Sequence, residues 1–239
     1  MYWRGGIMNR YPVRLYANPD PAPGRWLWLV KWLLLIPHFV VLAVLWIVLV
    51  VLTLVAYVAV LITGRYPTGI YDFNVGVLRW SWRVGYYGYQ ALGTDRYPPF
   101  ALADVPDYPA GLDADPPRPL PRWRPLVAWL LAFPHVLIVA ALTGGWRVYD
   151  DGDTVVYVSG GLVAVTVLIV GVALLFTGRH PPGLYALLVG VARWVTRTIA
   201  YIVLLTGAYP PFRLDQGARE PDHIPPAPDD ADHRTAALM

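Results

Sequence analysis

The feature that most constrains this chain is an internal repeat whose two copies are both apolar. The first copy reads RWLWLVKWLLLIPH over residues 25–38, then an apolar run. TGRYPTGIYDFNVGVLRWSWR follows over residues 63–83, and YPPF over 97–100. The second reads RWRPLVAWLLAFPH over residues 122–135, a further apolar run, TGRHPPGLYALLVGVARWVTR over 177–197, and YPPF over 209–212. A duplicated unit of this size sets the architecture before any local propensity is considered. It also gives an internal control, because a feature present in both copies is not an accident of one segment.

The composition is that of a membrane protein. Hydrophobic residues make up 56% of the 239 and charged residues only 15%, against about 25% in soluble domains. From Trp26 to Thr63 the only fixed charge is Lys31, and from Val155 to Thr177 there is none. Runs of about 20 apolar residues suffice to cross a hydrocarbon core of about 30 Å. The chain has no cysteine, which excludes disulfides, thiol catalysis and cysteine metal sites. No cleavable signal peptide is evident in the Arg- and Pro-containing first 25 residues, and Met8 is an alternative start.

The landmarks divide the chain into a cytoplasmic arm (1–24), repeat 1 (25–100), a Pro/Asp-rich linker (101–121), repeat 2 (122–212) and a disordered tail (213–239). Pro37-His38 and Pro134-His135 align at an offset of 97, and Gly64-Arg65 and Gly178-Arg179 at an offset of 114. Copy two therefore holds 17 more residues between these landmarks. The candidate insertion is TGGWRVYDDGDTVVYV, residues 143–158, with Asp150, Asp151 and Asp153 close together. Such residues require water. Carried over to copy one, the insertion point falls near Trp46–Val50. This predicts a helical hairpin, Trp26–Trp46 outward and Ile47–Thr63 back, in preference to one span over Phe39–Ile62. The third elements, Ile70–Leu92 and Leu184–Thr206, carry Arg79/Arg83 and Arg193/Arg197 four apart on one helical face. They read as interfacial or re-entrant helices. The fold class expected is an all-α integral membrane protein of two tandem repeats. Each is a transmembrane hairpin plus an Arg-containing helix, giving four crossings in the cell membrane. Charge asymmetry places both termini in the cytoplasm and the Asp150–Asp153 loop outside.

The pattern W-L-L-x-I-P-H, then T-G-R-Y-P-x-G-I-Y-D-F-x-V-G-V-L-R-W-S-W-R-V, then D-R-Y-P-P-F resembles the DUF4389 family of bacterial membrane proteins. The likeness is close over residues 32–100 and looser over 129–212, where His180 replaces Tyr66 and Ala186–Leu187 replace Asp72–Phe73. The resemblance implies a membrane location and nominates no catalytic residue.

Several constellations carry two readings. His38 and His135 follow prolines inside predicted helices. They either pack at the kink and satisfy a freed carbonyl or form a paired intramembrane proton or metal site. Two histidines without a carboxylate or thiolate make a weak metal signal, and no metal or cofactor is expected. Arg65 and Arg179 either end apolar helices or, with Arg79, Arg83, Arg193 and Arg197, clamp lipid phosphates. The tryptophans and tyrosines at segment ends read as an aromatic belt, and the Tyr-Pro-Pro-Phe runs as rigid turns. No phosphate loop, dinucleotide fingerprint, nucleophile elbow or zinc-protease helix is present. The expected function is a non-enzymatic envelope scaffold or accessory subunit that contacts anionic lipid and a membrane protein partner, with no nucleic-acid role. The alternatives are a small transporter or channel with His38 and His135 in its path, and a lipid-modifying enzyme with His180 as base.

Overall fold

The structure is a computed structural model that describes residues 11–21, 23–144, 146–149, 155–158 and 161–217. In chain order it contains β1 (Val13–Ala17), α1 (Lys31–Leu34), α2 (Ile36–Thr63), α3 (Thr68–Tyr87), β2 (Ala110–Ala114) and α4 (Arg124–Thr143). There follow β3 (Trp146–Tyr149), β4 (Val155–Val158), α5 (Leu162–Thr177) and α6 (Pro182–Ile202). Strands β1 and β2 pair antiparallel, as do β3 and β4. The fold is mostly helical, and the all-α expectation is corrected by these two small sheets. The first of them ties the supposed N-terminal arm to the supposed linker.

Among the described residues, two helices are long and apolar enough to cross a membrane, α2 and α4. Helix α5 is apolar but shorter. Copy one has no turn near Trp46–Val50, because α2 continues unbroken for 28 residues. This differs from the hairpin read from the insertion. In copy two, residues 144–161 stand where copy one has Ile47 alone. Helices α4 and α5 nevertheless follow α6 in one continuous order. His135 of α4 meets Trp194, Thr143 and Val163 border one cavity with Leu188 and Val191, and Val167 and Leu174 pack with Leu188. The two helices form one interrupted rod, and the insertion is an excursion from its middle. Asp150, Asp151 and Asp153 lie outside the described residues. The rod totals about 54 Å at 1.5 Å per residue and α2 about 42 Å.

The two rods run antiparallel, and each repeat closes the other. Gly64, the left-handed C-cap of α2 (φ 72°), accepts a bond from Leu120 N at 2.9 Å just before repeat 2 begins. Gly178, the equivalent cap of α5 (φ 65°), lies under the Arg25 guanidinium that opens repeat 1. Both caps need the positive φ that glycine adopts without steric cost. In both, the preceding threonine turns back: Thr63 Oγ1 donates to Ala59 O and Thr177 Oγ1 to Ala173 O, each at 2.7 Å.

Helices α3 and α6 form a middle layer with two working faces. On one, Asn74 meets Thr53, Ser81 meets Trp46 and Trp80 meets His38, all on α2. On the opposite face, Arg79 reaches Leu112 O and Trp82 reaches Tyr16 O of the β1–β2 sheet. In α6, Trp194 faces α4 while Arg193 reaches Leu15 O of β1. The result is three layers: long apolar rods, amphipathic helices, and a sheet with its loops. The core lies between the first two layers and between the last two, and the outer faces of the rods are left apolar and exposed.

If the insertion is an excursion from a continuous rod, replacing residues 144–161 by a single isoleucine restores the layout of copy one. The shortened protein is expected to keep its helical circular dichroism and a cooperative thermal transition. Loss of both would mean that α4 and α5 require the insertion to pack on α6.

Candidate functional site

Each Pro-His pair is the centre of an aromatic module, and the two modules have nearly the same geometry. His38 Nδ1 accepts a hydrogen bond from Trp80 Nε1 at 3.1 Å, and His135 Nδ1 accepts one from Trp194 Nε1 at 2.9 Å. Phe100 stacks on His38 with ring centres 3.9 Å apart, and Phe212 on His135 at 4.1 Å. Tyr97 and Tyr209 each lie 4.9 Å from their histidine, centre to centre. The same tyrosines donate to Leu34 O and Leu131 O at 3.0 and 3.1 Å. Those carbonyls lie three residues before Pro37 and Pro134, where proline disturbs the helical hydrogen-bond ladder. Pro134 lies inside α4, whereas Pro37 stands in the first turn of α2, which corrects the expectation of an interior proline in copy one. In both copies the histidine packs beside its proline, and the tyrosine of Tyr-Pro-Pro-Phe bonds a carbonyl there. Both histidines are fully buried. They sit toward opposite ends of the antiparallel rods in modules that share no residue, so the structure does not bring them together as a pair. Among the described residues, no three of His, Asp or Glu gather as a metal-binding group.

The arginines divide into two classes. Arg83, Arg193 and Arg197 are buried to within 1%. Arg83 donates to the carbonyls of Ala101 and, at 3.1 Å, Ala103. Arg193 spans Leu15 O (3.2 Å) and Asp215 O (2.6 Å). Arg197 pairs with Asp215 Oδ2 at 2.6 Å, and Arg213 pairs with the same carboxylate at 3.1 Å. Arg79 donates to Leu112 O at 2.8 Å. The expectation that these four arginines face headgroups is corrected: they hold the linker, β1 and the start of the tail onto α3 and α6. A buried guanidinium needs such partners because its charge is costly to desolvate. The same contacts correct the view of residues 213–217 as disordered, since Asp215 is buried and doubly paired.

Arg65 and Arg179, in contrast, are exposed. Their backbone amides are fixed by Thr63 Oγ1 and Thr177 Oγ1, each at 3.1 Å. The cross-repeat contacts add Arg122 beside Gly64 and Arg25 beside Gly178. Each end of the rod pair therefore carries two exposed arginines from different repeats, Arg65/Arg122 and Arg25/Arg179. Trp123 and Trp26, next in sequence to Arg122 and Arg25, are 55% and 68% exposed. Sequence reasoning missed Arg25 and Arg122 because the signal is an equivalence between copies, RW at 25 and RW at 122, whose partners lie in the other copy.

Lys31, the only fixed charge in the first apolar run, faces inward. It pairs with Asp95 at 2.9 Å, donates to Thr94 O at 2.7 Å and lies 4.5 Å from the Tyr87 ring centre. Burial lowers its pKa, and the hydrogen bond and charge of Asp95 oppose that shift. His180 Nε2 lies 3.0 Å from Ala91 O. Burial lowers its pKa as well, against the smaller opposing effect of that bond. Facing a carbonyl oxygen, Nε2 is set to donate, a poor arrangement for a general base at that nitrogen. A cavity of about 140 Å³ lies between the repeats, lined mainly by apolar groups that include Trp46, Leu78, Val163, Leu188 and Val195.

The match to known families follows the repeat. Residues 25–101 and 154–213, more than half of the chain, match the model of a domain of unknown function, DUF4389. The chain belongs to the DUF4389 family. Its two matched segments agree with two copies of the DUF4389 unit. No curated protein and no solved structure matches the chain.

The division of arginines predicts unequal costs. Arg193→Gln leaves the bonds to Leu15 and Asp215 broken and should destabilise the fold by about 3 kcal/mol. Arg65→Gln should change stability by no more than about 0.5 kcal/mol. Denaturant or thermal unfolding of the two variants in the same detergent checks the contrast.

Proposed function

We propose that this DUF4389 protein is a non-enzymatic scaffold or accessory subunit of the cell membrane, held there by its rods and contacting anionic headgroups. The observation that carries the reading is the unpartnered apolar surface of α2, α4 and α5. Exposed large side chains run along α2 from Ile36 (45%) to Ile62 (67%). They continue along the second rod from Trp123 to Phe176 (77%). Soluble proteins rarely expose a contiguous apolar patch beyond a few hundred Å². Helices α3 and α6 contribute no exposed large hydrophobic residue, which confines the apolar surface to one side.

The non-enzymatic part of the proposal rests on where the polar groups go. His38 and His135 accept from tryptophans inside aromatic modules, His180 faces a loop carbonyl, and four of the six candidate arginines serve backbone or carboxylate partners. Arg65 and Arg179 are left for headgroups. The outer layer of β1, β2 and residues 101–109 supplies the surface for a cytoplasmic protein partner; the termini, assigned to the cytoplasm by charge asymmetry, lie outside the described residues.

The expected behaviour is retention in the membrane fraction after carbonate washing and release by detergent. Val44→Asp with Val51→Asp, on the exposed stripe of α2, should shift the chain toward the soluble or aggregated fraction. Extraction of the unmodified chain by carbonate alone would overturn the membrane reading.

A further inference from the structure

The rods have one apolar side, and the layer behind them is polar. Asp104 and Asp107 are exposed there, Asp113 is half-buried, and Arg14 pairs with Asp115 at 2.9 Å. These groups cover the face of α3 and α6 that is turned away from the rods. If the rods stood along the membrane normal, this layer would share their depth and meet hydrocarbon. A charged residue at the bilayer centre costs several kcal/mol, and irregular backbone is not tolerated against lipid. The excursion from the second rod argues the same way. It leaves the rod near its middle, which an upright rod would place near the bilayer midplane.

Lying flat, the rods turn their apolar side to acyl chains and keep the polar layer in water. The four exposed arginines then reach one depth at the two ends of the apolar face. We propose that the chain lies in a single leaflet, with both rods parallel to the membrane plane. Arg25/Arg179 and Arg65/Arg122 at its two ends each take the phosphate of an anionic lipid of that leaflet. This rests on the membrane reading above and replaces four crossings by none. Arginine suits the task because its planar fork binds phosphate in bidentate fashion. A second copy of the chain is a poorer occupant of the apolar face. Both ends of that face are basic, so face-to-face pairing sets arginine against arginine.

The cysteine-free chain makes the orientation testable. Gly69 and Gly183 occupy equivalent positions beside Arg65 and Arg179, at opposite ends of the rods. An added Cβ meets nothing within 4 Å at either. Single variants Gly69→Cys and Gly183→Cys are labelled with a membrane-impermeant maleimide in right-side-out and inside-out vesicles. Both positions are expected to label from the same side. Labelling from opposite sides overturns the in-plane seating while leaving membrane residence intact. Carbonate release of the unmodified chain overturns both proposals together.

The headgroup sites are read separately, from phosphatidylglycerol retained per protein after purification from membranes that also contain phosphatidylcholine. Arg25→Gln/Arg179→Gln and Arg65→Gln/Arg122→Gln should each lose about half of the retained phosphatidylglycerol, and the quadruple variant nearly all of it. The matching Arg→Lys variants preserve the charge at the helix ends and control for folding. They should keep more lipid than the Gln variants. Equal phosphatidylglycerol retention by unmodified and quadruple Gln proteins overturns the sites.

Discussion

The fold depends on how α3 and α6 dispose of charges in the middle of the protein. Arg83, Arg193 and Arg197 are among the largest fully buried side chains. They work by donating to groups in other segments of the chain: Ala101 O and Ala103 O in a loop, Leu15 O in β1, and Asp215 beyond the last helix. Guanidinium offers five donors in a rigid plane and keeps its charge on burial. One side chain can therefore hold segments 178 positions apart in sequence, as Arg193 does with Leu15. These bonds add to the apolar anchoring of the sheet, whose Val13, Leu15, Ala17, Ala110 and Leu112 are buried in the main core. The sheet itself has two strands of five residues, and an isolated pair of that size is marginal in water.

The opposite face of the same helices solves a different problem. A rod that is apolar all round has no preferred face of its own, and the apolar run of α2 is nearly uniform. Its orientation is fixed where a polar or aromatic group must meet a particular partner. The His–Trp bond, the Phe stack and the Tyr–carbonyl bond do this near one end of α2. The Asn74 bridge to Thr53 and Tyr66, at 3.2 and 2.9 Å, does it further along. In copy two the first set is kept, and the bridge is replaced by Leu188 against Val167. The module at the Pro-His pair is thus the part of the interface that both copies share, while the middle can be polar or apolar.

Much of this was legible in the sequence, but unevenly. The repeat, the Thr-Gly-Arg ends and the rigid Tyr-Pro-Pro-Phe turns depend on local chemistry, and local chemistry is what a sequence displays. The arginine pairs were legible as pairs on one helical face, but not in their destination. An i, i+4 pair has the same spacing whether it meets lipid phosphate or the carbonyls of a distant loop. The aspartates of the linker could have signalled the second case, since a headgroup-facing surface gains nothing from Asp104, Asp107, Asp113 and Asp115 beside it. The 17 extra residues were read as marking a turn in copy one as well, which α2 does not make, because an insertion reports where the backbone can open and not whether the uninterrupted copy bends there.

That distinction bears on what an apolar helix means. Length and hydropathy qualify α2 and α4 as spans, but both properties are blind to what stands beside the helix. A helix in lipid needs compatible neighbours at every depth it occupies. Here each rod is backed along much of its length by an amphipathic helix, and that helix by a charged, irregular layer. Polarity in this molecule changes across the layers and not along the rods. A bilayer imposes its gradient along its normal, so the lowest-energy seating aligns the two gradients. The layer axis, and not the helix axis, then becomes the membrane normal.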